Sequence, residues 1–169
     1  AKNSGITIVG VDRKAESLAD ARETFAGHNV DFVEGDLESI HDLVLPAGPF
    51  PVIYSVLTFH DLPDAAKRAV IGWSAEQLAP GGYFLLYDRL RMTDASLFPL
   101  QQKIWDRIER EHGVGMRTAP DFDSYTEDLG TDNRPASLDE YRVWFAAAGL
   151  AFQPLHIHGN VALLAGARL

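Results

Sequence analysis

Apolar runs and amphipathic stretches alternate at the start of the chain. Residues 6–12 and 30–33 are largely apolar and carry β-branched side chains, as is typical of buried parallel strands. Between these runs, Leu18, Ala21 and Phe25 recur at helical spacing and place apolar side chains on one helix face. The pattern therefore predicts a strand, a helix and a second strand, and parallel strands are joined by such crossovers.

A second unit of the same kind follows further along the chain. An apolar run begins at Val52, a polar loop ends at Asp64, and an amphipathic stretch continues as far as Leu78. A Pro-Gly-Gly turn then precedes another apolar run, which ends at Asp88. Because strand, helix and strand follow one another again, we expect an α/β fold whose ligands bind at the carboxyl ends of the parallel strands.

The last third of the chain predicts a capped helix and a hairpin. Ser137 followed by Glu140 is the signature of a capping box, and Gly149 stands where that helix would end. Two apolar runs at 151–157 and 161–167 then flank a short polar turn. We expect these runs to form an antiparallel hairpin at the end of an otherwise parallel sheet.

Between residues 92 and 136 the alternation of strands and helices stops. Here we expect one helix of about four turns. Its apolar positions, with Trp105 beside them, are Leu97, Leu100, Ile104 and Ile108. The stretch 113–135 is polar and acidic, and it predicts a loop.

Composition bounds the class of protein. With 169 residues, of which 46% are hydrophobic, the chain can bury the core of one α/β domain but not of two. The formal net charge of −9 disfavours a nucleic acid as partner, since such proteins cluster Lys and Arg. No cysteine is present, which excludes disulfides and thiolate catalysis, and a cytoplasmic location is the default expectation. Neither a long apolar run nor a charged leader is visible, so we expect no membrane span.

The stretch from Val52 through Asp64 to Asp88 resembles the fourth and fifth strands of class I S-adenosylmethionine-dependent methyltransferases. The resemblance implies a Rossmann-like three-layer α/β fold with a mostly parallel sheet and a C-terminal antiparallel hairpin. It also implies a single methyltransferase-like domain over 1–169, in which 92–136 forms a lid or substrate insertion. The implied cofactor is S-adenosylmethionine, and the implied reaction is methyl transfer to a small-molecule acceptor.

The resemblance assigns cofactor-binding roles to residues at two strand ends. Asp12 matches the acidic residue that accepts hydrogen bonds from both ribose hydroxyls, a task suited to a carboxylate, and Arg13 follows it. Asp36 matches the residue that accepts from the adenine amino group, with Leu37 against the ring. Without the resemblance, Asp12 is a solvated carboxylate at a helix start and Asp36 is a turn residue that caps backbone amides.

A third strand end carries the candidate catalytic residue. By resemblance, Ser55 and Val56 lie beneath the methionine end of the cofactor, and His60 stands shortly before a Leu-Pro-Asp sequence. An imidazole can position or deprotonate an acceptor, so we take His60 as the catalytic residue. The alternative is a structural histidine that is hydrogen-bonded to the loop or caps the following helix.

The sequence supports neither a metal site nor a defined assembly. His156 and His158 would lie on one face of a strand, but no third ligand is identifiable, so we expect no metal. The oligomeric state is open, with a homodimer among the candidates.

One part of the family pattern is absent. Family members begin with a strand and a Gly-rich loop, and none of the 14 glycines forms that loop. Family strand order places this first strand between the 6–12 strand and the strand that begins at Val52, whose edges would then be unpaired. We therefore hypothesise that an upstream portion of the protein supplies the missing strand. If there is no such portion, either a partner supplies the strand or the sheet closes without it, and cofactor binding would be impaired or lost.

Two functions of other classes stay open. One is a non-catalytic methyltransferase-like binding domain, which the absent Gly-rich loop favours. The other is a nicotinamide-dependent oxidoreductase fragment, which would share Asp12 but would explain neither the sequence around His60 nor the final hairpin.

Overall fold

The computed structural model describes residues 5–113, 118–130 and 132–169. The described strands are β1 (Ile8–Asp12), β2 (Val30–Glu34), β3 (Phe50–Val56), β4 (Leu78–Arg89), β5 (Leu150–His158) and β6 (Val161–Arg168). The described α-helices are α1 (Ala15–Thr24), α2 (Asp64–Gln77), α3 (Phe98–His112), α4 (Phe122–Glu127) and α5 (Leu138–Ala147). Short 3-10 helices occupy Leu37–Asp42, Phe59–Asp61 and Ala95–Leu97.

The described strands form two sheets. In the smaller sheet β1 pairs with β2 in parallel, and in the larger sheet the order is β3-β4-β6-β5. There β3 and β4 are parallel, whereas β6 runs antiparallel to both β4 and β5. This arrangement confirms the predicted Rossmann-like α/β fold and its C-terminal antiparallel hairpin.

Within the described residues, β1 and β3 are each paired along one edge only. These are the two strands for which the sequence predicts unpaired edges. On β3, the side chains of Val52, Tyr54 and Val56 are 46%, 62% and 54% exposed. Because alternate residues of a strand point to the same side, all three lie on one face of the sheet. An unpaired backbone edge and exposed apolar side chains therefore meet at β3.

The main core lies between the larger sheet and helices α2 and α5. Phe84 and Leu86 of β4 and Leu164 of β6 belong to it and are at most 1% exposed. The Phe84 ring stacks on Phe145 of α5 with 5.6 Å between the ring centroids. Phe145 also packs over Gly166 of β6, where an added Cβ would lie 2.6 Å from the ring carbons. Close packing thus fixes α5 against the sheet.

Helix α5 begins and ends where the sequence predicts. The Ser137 hydroxyl accepts a hydrogen bond from Glu140 N at 3.3 Å, and the Glu140 carboxylate accepts from Ser137 N at 2.7 Å. Beyond the helix, Gly149 has a φ of 74°, in the left-handed region that glycine adopts without a steric penalty. The predicted capping box and the predicted glycine stop are both confirmed.

The predicted Pro-Gly-Gly turn lies inside β4 and not before it. The pairing of β3 with β4 passes from Phe50 opposite Leu78 to Val52 opposite Tyr83, so four residues of β4 stand opposite one residue of β3 and form a bulge. Gly81, at the centre of this bulge, has a φ of 73°. The turn signal in the sequence therefore marks an irregularity within one long strand.

Helix α3 confirms the predicted helix but buries a different face. Leu97 and Leu100 are each 58% exposed, whereas Phe98 and Trp105 are 3% and 2% exposed. Phe98 and Trp105 pack with Tyr125 of α4, and the three form a small core separate from the main one. Contact with α4, which the spacing of residues within α3 does not show, determines which face is buried.

The stretch 113–135 contains a helix, so the prediction of a loop is wrong over Phe122–Glu127. The Asp121 side chain caps this helix by accepting a hydrogen bond from Ser124 N at 2.8 Å. Burial of Tyr125 against α3 adds an apolar reason for the helix to form. Residues 114–117 and 131 of the predicted loop lie outside the described residues.

Candidate functional site

Asp12 is the last residue of β1 and is exposed, with Arg13 exposed beside it. Its Oδ1 accepts a hydrogen bond from Lys14 N at 2.8 Å. No hydrogen bond from a described residue reaches Oδ2. Because each carboxylate oxygen has two lone pairs, Asp12 keeps the acceptor capacity that a pair of ribose hydroxyls needs. The position and environment of this carboxylate fit the predicted role in cofactor binding.

Asp36 follows β2 and caps the 3-10 helix Leu37–Asp42. Its Oδ1 accepts from Glu38 N at 2.9 Å, which is the backbone-capping role named above as the alternative. The carboxylate is exposed, and its second oxygen receives no hydrogen bond from the described residues. Leu37 is half-buried and packs against the main core. Capping therefore uses one oxygen of Asp36 and leaves the other directed to solvent or a ligand.

The end of β3 places the next predicted residues. Ser55 is half-buried opposite Leu86 of β4, whereas Val56 is 54% exposed. Leu57 then has a φ of 51°, a left-handed conformation that costs a non-glycine residue about 1–2 kcal/mol. Its amide donates to the Tyr87 carbonyl at 2.8 Å. The chain thus leaves the sheet in a sharp, strained turn that leads directly into the segment carrying His60.

His60 is paired with Asp88, which lies near the end of β4. The Asp88 Oδ2 accepts from the main-chain N of His60 at 3.0 Å, and Oδ1 lies 2.5 Å from the imidazole Nδ1. Oδ1 also accepts from Arg89 N at 2.6 Å. Both side chains are buried, since the residues His60 and Asp88 are only 7% and 1% exposed.

This pairing defines the orientation of the His60 ring. An ionised carboxylate can only accept, so Nδ1 is the donor in the short contact to Asp88, and Nε2 is the ring nitrogen that can exchange a proton. Nε2 lies 3.4 Å from the exposed Asp61 carboxylate. A histidine held by a buried carboxylate in this way has the geometry of a general base that is oriented by a third group.

The sequence predicted His60 but missed Asp88 as its partner. The available signal was a carboxylate at the end of an otherwise apolar strand, where burial would require a hydrogen-bonding partner. The partner lies 28 residues earlier in the chain, so only the pairing of β3 with β4 reveals it.

Two further polar side chains are buried near this pair. Lys67 of α2 is fully buried, and its Nζ donates to Asp64 Oδ1 at 2.8 Å and to the Arg134 carbonyl. The Tyr141 hydroxyl of α5 is buried without a described hydrogen-bond partner. Burial raises the pKa of Tyr141 well above its ordinary value, and the Asp88, Asp64 and Glu140 carboxylates raise it further. The phenol therefore stays protonated and available as a donor.

Helix α3 contacts the sheet at Asn160, in the turn between β5 and β6. Its Oδ1 accepts from Gln101 Nε2 and from Trp105 Nε1, each at 3.2 Å, and its carbonyl accepts from Leu90 N. Beside α3 a cleft of about 410 Å³ is lined by Gln102, Lys103, Asp106 and Thr118, among other residues. The cleft is open and is bordered by both polar and apolar side chains.

The two histidines considered as metal ligands lie near each other on β5. The ring centroids of His156 and His158 are 6.4 Å apart, and the Arg107 guanidinium lies 3.0 Å from His158 Nε2. In the part of the chain that the structure describes, no three His, Cys, Asp or Glu side chains are grouped so that they could hold a metal ion. Nor is any described helix both long and apolar enough to cross a membrane.

Comparisons of sequence relate the chain to proteins that use S-adenosylmethionine. The model of the family described as "methyltransferase domain" matches residues 1–82, from β1 into the first part of β4. The carboxy-S-adenosyl-L-methionine synthase of Pseudomonas fluorescens (strain Pf0-1) is 25% identical over 175 residues, which cover 96% of this chain and 68% of that protein.

Solved structures share the fold. An O-methyltransferase family protein from Burkholderia thailandensis aligns with a TM-score of 0.65 and 21% identity, over 96% of this chain and 44% of that one. PigF, solved with SAH, aligns with a TM-score of 0.61 and 21% identity, over 99% of this chain and 44% of its own. The chain therefore spans less than half the length of these two structures.

Polar residues at the carboxyl ends of parallel strands define a protein of the nucleotide-binding α/β class. Together with the matches above, they support a class I S-adenosylmethionine-dependent methyltransferase, since the methyltransferase-domain model matches residues 1–82. S-adenosylmethionine is the cofactor of that family.

Proposed function

We propose that this chain transfers the methyl group of S-adenosylmethionine to a small-molecule acceptor, with His60 as the general base. The observation that carries the proposal is the buried contact between His60 Nδ1 and Asp88 at 2.5 Å, at the end of the parallel pair β3 and β4. Asp88 fixes the ring so that Nε2 can take a proton from the acceptor. The cytoplasmic location expected from the sequence is part of this proposal.

The proposed reaction asks little of the other side chains. The cofactor supplies a methyl group that is already activated by its sulfonium. Bound S-adenosylmethionine would give its methyl group to the acceptor and leave as S-adenosylhomocysteine, while His60 Nε2 would take the acceptor proton. Alignment of donor and acceptor can supply most of the acceleration, so the absence of a catalytic triad is no obstacle.

The proposed cofactor site uses the strand ends of both sheets. Asp12 binds the ribose hydroxyls, and Asp36 accepts from the adenine amino group through the oxygen that capping leaves unused. The remaining predicted contacts are with Arg13, Leu37, Ser55 and Val56. Such a site requires the ends of β1 and β3 to face one cofactor molecule, so a strand that pairs with both edges would strengthen binding.

The proposed acceptor binds under the insertion 92–136. The insertion supplies the open cleft beside α3, and its end at Arg134 contacts the main chain of His60. The cleft combines polar side chains with the Trp105 ring, which suits a small organic molecule with an aromatic or apolar part.

Replacing the base tests this function. With S-adenosylmethionine labelled in the methyl group and a panel of phenols and amines, His60→Asn should lower kcat/KM by about 10²–10⁴-fold. Affinity for S-adenosylhomocysteine should stay unchanged, because His60 does not contact the proposed cofactor residues. His156→Asn, which replaces an exposed histidine on β5, is the matched control. A His60→Asn variant with the parent rate would remove His60 from the mechanism.

A second candidate is synthesis of carboxy-S-adenosyl-L-methionine. It is favoured by the match to the Pseudomonas fluorescens synthase, which covers 96% of this chain. Mass spectrometry separates the two, since methyl transfer yields a methylated acceptor and S-adenosylhomocysteine, whereas the synthase reaction yields a modified cofactor. A chain that binds neither S-adenosylmethionine nor S-adenosylhomocysteine would instead fit the non-catalytic binding domain.

A further inference from the structure

The main chain of Arg134 is held on both sides by residues of the candidate site. Its amide donates to the His60 carbonyl at 2.5 Å, and its carbonyl accepts from Lys67 Nζ. Arg134 lies at the end of the insertion, two residues before Ala136, whose carbonyl accepts from Arg91 N at 2.9 Å. Main-chain groups of Arg134 and Ala136 therefore tie the end of the proposed insertion to His60, to Lys67 and to Arg91, and no side chain of the insertion takes part in these hydrogen bonds.

Lys67 is an unusual residue for its position on α2. Its side chain is 0% exposed, whereas its charged partner Asp64 is 49% exposed. Lysine is almost never fully buried, because removing the ammonium group from water is costly unless it is well paired. An apolar side chain of similar length would fill the space at lower cost. Only a donor can make the two hydrogen bonds of Lys67 Nζ, one to Asp64 Oδ1 and one to the Arg134 carbonyl, and the second reaches the segment that contacts His60.

Buried or main-chain groups contact the main-chain N, the carbonyl and Nδ1 of His60, whereas Nε2 faces only the exposed Asp61 carboxylate at 3.4 Å among the described contacts. Asp88 accepts from the His60 main-chain N and from Nδ1, while the Arg134 amide donates to the His60 carbonyl. Lys67 Nζ in turn donates to the Arg134 carbonyl, which belongs to the following peptide unit. A catalytic group must be positioned to within a fraction of an ångström. If the main chain of Arg134 were not held in place, the orientation of the His60 ring would therefore change.

We propose that Lys67 is a positioning residue, which sets the orientation of His60 through the main chain of Arg134. The catalytic part of this inference rests on the proposed function of His60. The claim that Lys67 orients the ring does not, because the tautomer of the His60 imidazole can be observed directly. Lys67 thereby links the conformation of the proposed insertion, where the acceptor would bind, to the orientation of the His60 ring.

Three variants test the proposal. Lys67→Met keeps the volume and removes the donor, Lys67→Gln keeps a donor without the charge, and Arg68→Met removes a neighbouring positive charge that faces the Trp144 ring. In Lys67→Met, kcat for methyl transfer should fall by about ten- to a hundredfold, with little change in KM for S-adenosylmethionine. Lys67→Gln should regain most of that loss, and Arg68→Met should behave as the parent.

Nitrogen NMR of the imidazole supplies the readout that is independent of activity. The parent should show one His60 tautomer with the proton on Nδ1, and Lys67→Met should show mixed or exchanging signals. The Arg134 amide of the parent should also exchange slowly with solvent. If the parent transfers no methyl group but these signals behave as described, the proposed function fails and the positioning role stands. A folded Lys67→Met with the parent tautomer, or a Lys67→Gln as impaired as Lys67→Met, would overturn it.

Discussion

At the scale of residues, the charge on Asp88 is kept in the core by the groups around it. Its oxygens accept from His60 N, from His60 Nδ1 and from Arg89 N. A buried carboxylate with these donors is stable, whereas the same carboxylate without them would be costly. The arrangement couples the packing of the core to the orientation of His60.

The amide variant Asp88→Asn should weaken both properties. An amide is a poorer acceptor and would turn its NH₂ group toward one of the donors, so the free energy of unfolding should fall by about 1–3 kcal/mol. Urea denaturation measures this loss, and methyl transfer should fall with it. Asp31→Asn, at an exposed position of β2, is the control that should leave both unchanged. Equal stability of the two variants would show that Asp88 does not support the core.

Glu140 links the cap of α5 to Arg91, just after the end of β4. Partial burial raises the pKa of this carboxyl, but the hydrogen bonds from Ser137 and the nearby Arg91 guanidinium outweigh it and leave the pKa below its ordinary value. Arg91 Nη2 lies 2.7 Å and 2.8 Å from the two Glu140 oxygens. The charged form of Glu140 is therefore the one that stabilises the fold.

The variant Glu140→Gln should lose stability in a pH-dependent way. Because the pKa is lowered in the folded protein, the contribution is fully present above the ordinary glutamate pKa of about 4.3 and disappears as the pH falls through the folded value. At neutral pH the loss should be about 1 kcal/mol, the usual worth of a cap. Thermal unfolding at pH 7 and at pH 3 measures it. Asp139→Asn, in the same first turn, is the control, and a loss as large at pH 3 as at pH 7 would contradict the assignment.

At the scale of elements, local signals were readable from the sequence and non-local packing was not. The capping box of α5 and the β5–β6 hairpin depend on residues close together in the chain, and both are confirmed. The buried face of α3 depends on α4, a helix that the sequence reasoning missed. Likewise, His60 follows from the resemblance, whereas its pairing with Asp88 requires the register of β3 and β4.

The contact between α5 and β6 leads to a prediction for glycine variants. In Gly166→Ala, the new Cβ would meet the Phe145 ring at 2.6 Å and Leu150 Cδ1 at 3.1 Å, so the free energy of unfolding should fall by about 1–3 kcal/mol. In Gly72→Ala on α2, no atom lies within 4 Å of the new Cβ, and stability should rise by up to about 1 kcal/mol. Chemical denaturation of the two variants checks the packing, and a neutral Gly166→Ala would contradict it.

At the scale of the whole molecule, the division into two sheets determines which strands are hydrogen-bonded along both edges and which along one edge only. β4 and β6 are paired on both edges, whereas β1 and β3 are paired on one edge within the described residues. The resemblance to the family predicted the two strands with unpaired edges, because family strand order places a further strand between them. It could not predict the exposed apolar face of β3, which depends on what covers the sheet.

Hydrogen exchange should follow this division. Amides of β4 and β6 lie in the interior of the larger sheet and should exchange slowest, by opening of the whole domain. Amides of β1 and β2, in a two-stranded sheet, should exchange faster by local opening. Mass spectrometry of peptides after timed exchange distinguishes the two sheets. Equal protection of both would contradict the separation into a firm sheet and a weak one.

The central claim is that the strand ends of this chain bind S-adenosylmethionine. The most direct test is calorimetric titration with S-adenosylhomocysteine of the parent, of Asp12→Ala, and of Asp20→Ala as a control at an exposed position of α1. We expect saturable binding that Asp20→Ala leaves intact and that Asp12→Ala weakens at least about tenfold, since a charge-assisted hydrogen bond is worth about 1.5–3 kcal/mol. A folded parent that does not bind, or an Asp12→Ala variant that binds as tightly as the parent, would contradict the claim.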